Sequence, residues 1–137
     1  MTLRSMPLIA LAFILYNVVV MLGGGAEPEA VMRQELFGIP LLQGRISMTW
    51  GSIIILFTMF LLFIELIKST FTSTSAMIDH GLSMLVFIAC LVELLIAKQA
   101  ASATFFILMV ATLIDVVAGF MIGMRTARRD LNIGTDS

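Results

Sequence analysis

The chain has 137 residues, 60% hydrophobic and 12% charged, with a formal net charge of −1. Soluble domains average nearer half apolar and a quarter charged, and a chain this short could not cover so much apolar surface in water. The charge balance offers no basic patch for nucleic acid, and the single cysteine, Cys90, excludes an intrachain disulfide and a thiolate metal set.

The apolar residues fall in four blocks, each of a length suited to a helix crossing a hydrocarbon core of about 30 Å. The first runs from about Met6 to Leu22. Arg4 followed by an apolar stretch resembles a signal peptide. The stretch is longer than a usual signal core and lacks a small-x-small cleavage site, so a retained first helix is expected.

The segment "GGGAEPEAVMRQELFGIPLLQGR" (23–45) is long for a helical hairpin. Within it, "EPEAVMRQELFG" has a proline near a helix start, early acids and a closing glycine. Val31, Met32, Leu36 and Phe37 then form one greasy side, so a short amphipathic helix on the outer surface is expected.

The second span runs from about Ser47 to Ile67, with Trp50 as an interfacial anchor. "STFTSTSAMIDHG" (69–81) reads as a tight inner turn whose hydroxyls cap the flanking helices. Asp79 and His80 open the third span, His80 to Ala97, with Asp79 suited to the positive end of the helix dipole. "KQAASAT" (98–104) is a short outer turn, and the fourth span covers about Thr104 to Met124. "LNIGTDS" (131–137) is expected to be a flexible cytoplasmic tail.

No alternation of period two suggests a barrel, and in lipid a helix satisfies every backbone amide internally. The expected fold is therefore all-α: a four-helix transmembrane bundle over 1–130, with one short outer helix between helices 1 and 2. With the N-terminus in the cytoplasm, Arg4, Lys68, Arg125, Arg128 and Arg129 lie inside, against Arg33, Arg45 and Lys98 outside. The positive-inside rule then places both termini in the cytoplasm. "RTARRD" (125–130) anchors the last helix and is placed to touch anionic lipid heads.

An ionisable residue within a span is costly and marks a candidate site. Helical rise places Asp115 about 16 Å from the start of its span and about 15 Å from Arg125, near the bilayer midplane. Asn17 and Thr58 share that depth, so a midplane polar cluster of Asp115, Asn17 and Thr58 is expected. Loss of water disfavours the charged carboxylate, so Asp115 is expected to be neutral and hydrogen-bonded.

Ala111, Asp115, Gly119 and Gly123 recur every four residues, and the two glycines have the spacing of a close helix-packing seam. Gly51, Thr58 and Glu65 share one face, as do Asp79, Ser83, Cys90 and Glu93. Glu65 has a local partner in Lys68, three residues on. Glu93, near the outer end of its span, either snorkels or pairs with another helix. His80 is the only histidine, too few for a two-histidine haem and without a metal-ligand set around it. It reads as part of a capped helix start, or as a pH-sensitive inner gate. No cofactor or metal is expected.

Three stretches carry a resemblance: "GIPLLQGR", "IELIKSTFTSTSAMIDHGLSMLVF" and "ATFFILMVATLIDVVAGF" followed by "RTARRD". They resemble a group of small four-span inner-membrane proteins of alpha-proteobacteria. The similarity covers most of the chain from Gly38 to Asp130. The group has no assigned activity, so the resemblance implies only architecture and a place in the bacterial inner membrane. Small multidrug exporters match in size but carry their working glutamate in the first span, where this chain has none.

No nucleophile–base pair, metal set or phosphate loop is visible, so an enzyme is not expected. The expected function is a structural or accessory subunit, packed through small-residue seams against itself or a larger membrane complex. The alternative is a minimal proton-coupled transporter or channel using Asp115, with Glu65 and Glu93 as inner and outer stations. Expected partners are the lipid bilayer and other membrane helices, with no nucleic acid.

Overall fold

The computed structural model describes residues 6–70 and 74–135, with side chains described over 6–70 and 77–125. Arg4 and the side chains of Arg128 and Arg129 lie outside the described residues. The chain is mostly helical. The elements are α1 (Ala10–Leu22), α2 (Pro28–Met32), β1 (Glu35–Leu41), β2 (Gly44–Thr49), α3 (Trp50–Lys68), α4 (Thr74–Ile96) and α5 (Ala103–Thr135). A 3-10 turn at Lys98–Ala100 links α4 to α5.

Three segments are long and apolar enough to cross a membrane: Trp50–Lys68, Met77–Ile96 and Ala103–Arg125. The first expected span, Met6 to Leu22, is shorter than expected. Helix α1 is apolar but only 13 residues long, or about 20 Å by helical rise. Pro7 precedes it, and Gly24 and Gly25 follow with φ of 64° and 92°, a region open mainly to glycine. These residues stop the helix at both ends.

The outer helix is corrected as well. Only Pro28–Met32 is helical, with Pro28 in its first turn. The chain then forms an antiparallel hairpin, pairing Phe37 with Met48, Ile39 with Ile46 and Leu41 with Gly44. Leu36 and Phe37 thus belong to β1, and Ser47 to β2, so the second span begins at Trp50. Gly38 and Pro40 are poor helix residues, and Pro40 needs no ladder amide at a free edge. Thr49 caps α3, its hydroxyl accepting from the Ser52 amide at 3.2 Å.

Helix α4 begins at Thr74, so Asp79 and His80 sit one turn inside it. Asp79 therefore does not cap the helix. The Thr-Ser-Ala run read as turn residues instead forms the first helical turn. The α5 backbone stays helical to Thr135, into the segment expected as a tail.

Close approaches fix the bundle. A Cβ on Gly51 would meet Thr104 Oγ1 at 2.7 Å, and one on Gly119 would meet Ser69 Cβ at 3.6 Å. Helices α3 and α5 therefore run side by side in one direction, with α4 returning beside α5. Ala12, Tyr16, Ile54, Leu61, Cys90, Phe105 and Leu108 form the apolar core. The Tyr16 ring lies 5.0 Å from that of Phe105. The outward faces, including Leu56, Phe60, Phe63, Leu85, Phe106 and Val117, are exposed. Helices that turn apolar faces outward and polar residues inward match a lipid surround rather than water, so the fold is that of a protein compatible with membrane insertion.

Candidate functional site: a buried ionic cluster

The polar faces of α3, α4 and α5 meet near the Lys68 end of the bundle. Glu65 is 2% exposed and Asp79 3%. Glu65 Oε1 accepts from the Leu8 amide at 2.6 Å and from Lys68 Nζ at 3.2 Å. Lys68 Nζ also donates to the Met6 carbonyl at 2.8 Å and to Asp79 Oδ1 at 3.4 Å. One ammonium thereby ties the segment before α1 to α3 and α4. The three-residue spacing of Glu65 and Lys68 on one helix makes this local contact possible. The addition of Asp79 depends on α4 folding back.

Asp115 lies deeper, 4% exposed, with Ser83 of α4 beside it and Glu65 and Lys68 within electrostatic reach. Ser83 is 1% exposed. Among the described residues, neither Asp115 Oδ2 nor Ser83 Oγ has a hydrogen-bond partner, and the buried His80 Nε2 has none either. The His80 ring rests on the glycine seam of α5. A Cβ on Gly119 would stand 3.2 Å from its Cε1, and one on Gly123 3.2 Å from its Nε2. The seam thus receives an imidazole. Ala111, 7% exposed, continues it towards the other end.

The midplane cluster is redistributed. Asn17 Nδ2 donates to the Phe13 carbonyl at 3.0 Å and to Glu93 Oε2 at 3.2 Å. Thr58 is buried and donates to the Ile54 carbonyl of its own helix at 2.7 Å. The alignment of Gly51 with Thr104 puts Thr58 level with Ala111, one turn short of Asp115. Depth counted along one helix sets neither its offset against the next helix nor a side chain's partner, which is why the three residues do not meet. Glu93 takes the pairing alternative, with Gln99 Nε2 donating to its Oε1 at 3.2 Å.

Asn17 and Glu93 line an open groove of about 620 Å³ between α1 and α4, walled by Phe13, Val18, Ala89 and Val92. At the same end of the bundle, Tyr16 donates to the Gln99 carbonyl at 2.8 Å and shares a 2.6 Å hydrogen bond with Ser102 Oγ. Nothing in the sequence marks Tyr16 for this role, because its partners lie in the 98–104 turn, which carries no motif. Arg125 is exposed at the opposite end of α5. Among the described residues, no group of three or more His, Cys, Asp and Glu is placed to hold a metal ion.

No protein-family model, curated protein or solved structure matches the chain. The fold and site therefore define a class by physics alone: a mainly helical protein with three membrane-length apolar helices around buried carboxylates.

Proposed function

We propose that the protein is an accessory subunit of the bacterial inner membrane that packs against other membrane helices, from a larger complex or from its own copies. The α1–α4 groove carries this reading. Its walls match hydrocarbon, but the Asn17–Glu93 hydrogen bond puts a polar rung among them. Between apolar helices, polar side chains and close packing drive association, so a partner helix with its own polar residue satisfies this rung better than an acyl chain does. The Glu65–Lys68–Asp79 contacts then hold the first helix against the bundle so that the groove keeps its shape. In this reading both termini are cytoplasmic, with Arg125, Arg128 and Arg129 at the inner surface.

The test is site-specific photocrosslinking in native membranes, at Val18 and Val92 in the groove and at Phe60 on another face. Discrete protein adducts from the groove positions, absent from Phe60, are expected. Adducts to lipid alone at all three positions overturn the proposal.

A second reading, proton-coupled transport through Asp115, is favoured by one observation. Glu65, Asp79 and Asp115 are buried and, among the described residues, the one ammonium between them is that of Lys68. Three carboxyl groups beside one ammonium in an apolar interior give a transported proton places to bind. Proton flux in liposomes that is abolished by Asp115→Asn supports this reading. Absence of flux in the parent protein removes it.

A further inference from the structure

The β1–β2 hairpin has a feature that its helix-like sequence conceals: its two faces differ. Register puts Phe37, Ile39, Leu41, Ile46 and Met48 on one face. The pairing shifts between Glu35 and Phe37, which sends Glu35 to the opposite face with Arg45 and Ser47. There Arg45 Nη2 and Glu35 Oε1 form an ion pair at 2.6 Å. Gly38 lies beneath it, and a Cβ at that position would run into the Arg45 guanidinium. The charge of the hairpin is thus gathered and neutralised on one side.

The apolar side is bare. Phe37, Ile39, Leu41 and Ile46 are 42–55% exposed, and Leu42 stands fully exposed at the apex of the turn. A lone two-stranded hairpin is marginal in water, so this face needs a cover. The root of the hairpin indicates which cover. Strand β2 passes into α3 without a linker, and the Trp50 amide donates to the Gln34 carbonyl at 3.2 Å. The charged groups Glu27 and Lys98 meet at 3.7 Å at this same end of the bundle. The hairpin therefore springs from the point where the apolar belt of α3 gives way to charge.

We propose that the hairpin lies on the bilayer surface, with its apolar face and Leu42 in the acyl boundary and the Arg45–Glu35 pair towards water. This rests on the reading of the chain as membrane-embedded. Size favours lipid over a second copy. Six residues along two strands present a face of about 200 Å² by strand geometry. A stable protein interface takes about 800 Å² from each partner. A lipid surface sets no such threshold, and amphipathic elements partition into it in proportion to their apolar area.

The experiment uses the full chain in lipid nanodiscs, in a Cys90→Ala background, with a nitroxide placed through Ile46→Cys, Ser47→Cys or Phe106→Cys. Circular dichroism checks that each variant keeps its helices. Collision with oxygen reports lipid, and collision with a water-soluble nickel chelate reports solvent. The oxygen-to-chelate ratio is expected to be several-fold higher at 46 than at 47, and to match lipid at 106. Equal, aqueous readings at 46 and 47 with a lipid reading at 106 overturn the hairpin proposal and leave the membrane reading intact. Shielding of 46 from both reagents, with spin–spin broadening, assigns the cover to a second copy and also overturns it. An aqueous reading at 106 overturns the membrane reading, and the hairpin proposal with it.

Discussion

Asn17 donates from Nδ2 to Oε2 of Glu93 at 3.2 Å, joining two polar residues that lie 76 positions apart. The bond crosses the groove between α1 and α4, and it is a side-chain tie between the two helices. Asn17→Ala and Glu93→Ala are each expected to destabilise the bundle. In a double-mutant cycle their coupling is expected near the average for interhelical hydrogen bonds in membranes, about 0.6 kcal/mol. Thermal unfolding of the four proteins in detergent measures it, and additive effects would remove the tie.

Lys68 answers to both Glu65 and Asp79, and its side chain is only 19% exposed. Lys68→Met leaves two buried carboxylates without their cation. Breaking a buried pair from one side costs about 3–5 kcal/mol. The combination of Lys68→Met with Glu65→Gln is expected to recover part of that loss, because one stranded charge is gone. The check is the midpoint of chemical unfolding for both variants.

The glycine seam makes a directional claim. Gly119→Ala and Gly123→Ala each place a methyl 3.2 Å from a ring atom of His80. Overpacking of this kind costs about 1 kcal/mol or more. Adding His80→Ala is expected to restore stability in both cases. If stability stays low in the double variants, the seam is receiving something other than the imidazole.

Two other glycines should behave oppositely. A methyl on Gly51 meets Thr104 Oγ1 at 2.7 Å and the Met32 carbonyl at 3.2 Å, whereas Gly81 has open space around it. Gly51→Ala is expected to lower the melting temperature by forcing α3 off α5 and off the α2 turn. Gly81→Ala is expected to raise it, since alanine improves a helix interior by up to about 1 kcal/mol.

Tyr16→Phe keeps the packing on Phe105 but removes the bonds to Gln99 and Ser102. The loss is expected to be about 1 kcal/mol, the usual net worth of a hydrogen bond. Faster amide exchange in the 98–104 turn would locate the effect there.

Apolar block length is a local property, so the sequence reports α3, α4 and α5 as long apolar helices without knowledge of their neighbours. The Glu65–Lys68 contact and the small-residue stripe of α5 follow in the same way from helical periodicity. The hairpin was harder to see. Its alternation of Phe37, Ile39 and Leu41 competes with "EPEAVMRQELFG", whose proline, acids and glycine imitate helix punctuation. The start of α4 is hidden in the sequence because serine and threonine favour turns and helix caps alike.

The sequence by itself determined which residues are apolar, how long each apolar run is, and how far apart in height two residues of one helix stand. Only the tertiary structure decided that Asn17 meets Glu93, that Lys68 reaches Asp79 on α4, and that His80 occupies the Gly119–Gly123 seam. The reason is geometric. Rise per residue sets a side chain's height from its own sequence, but its partner depends on how neighbouring helices are rotated and offset. That arrangement is fixed by packing across the whole bundle.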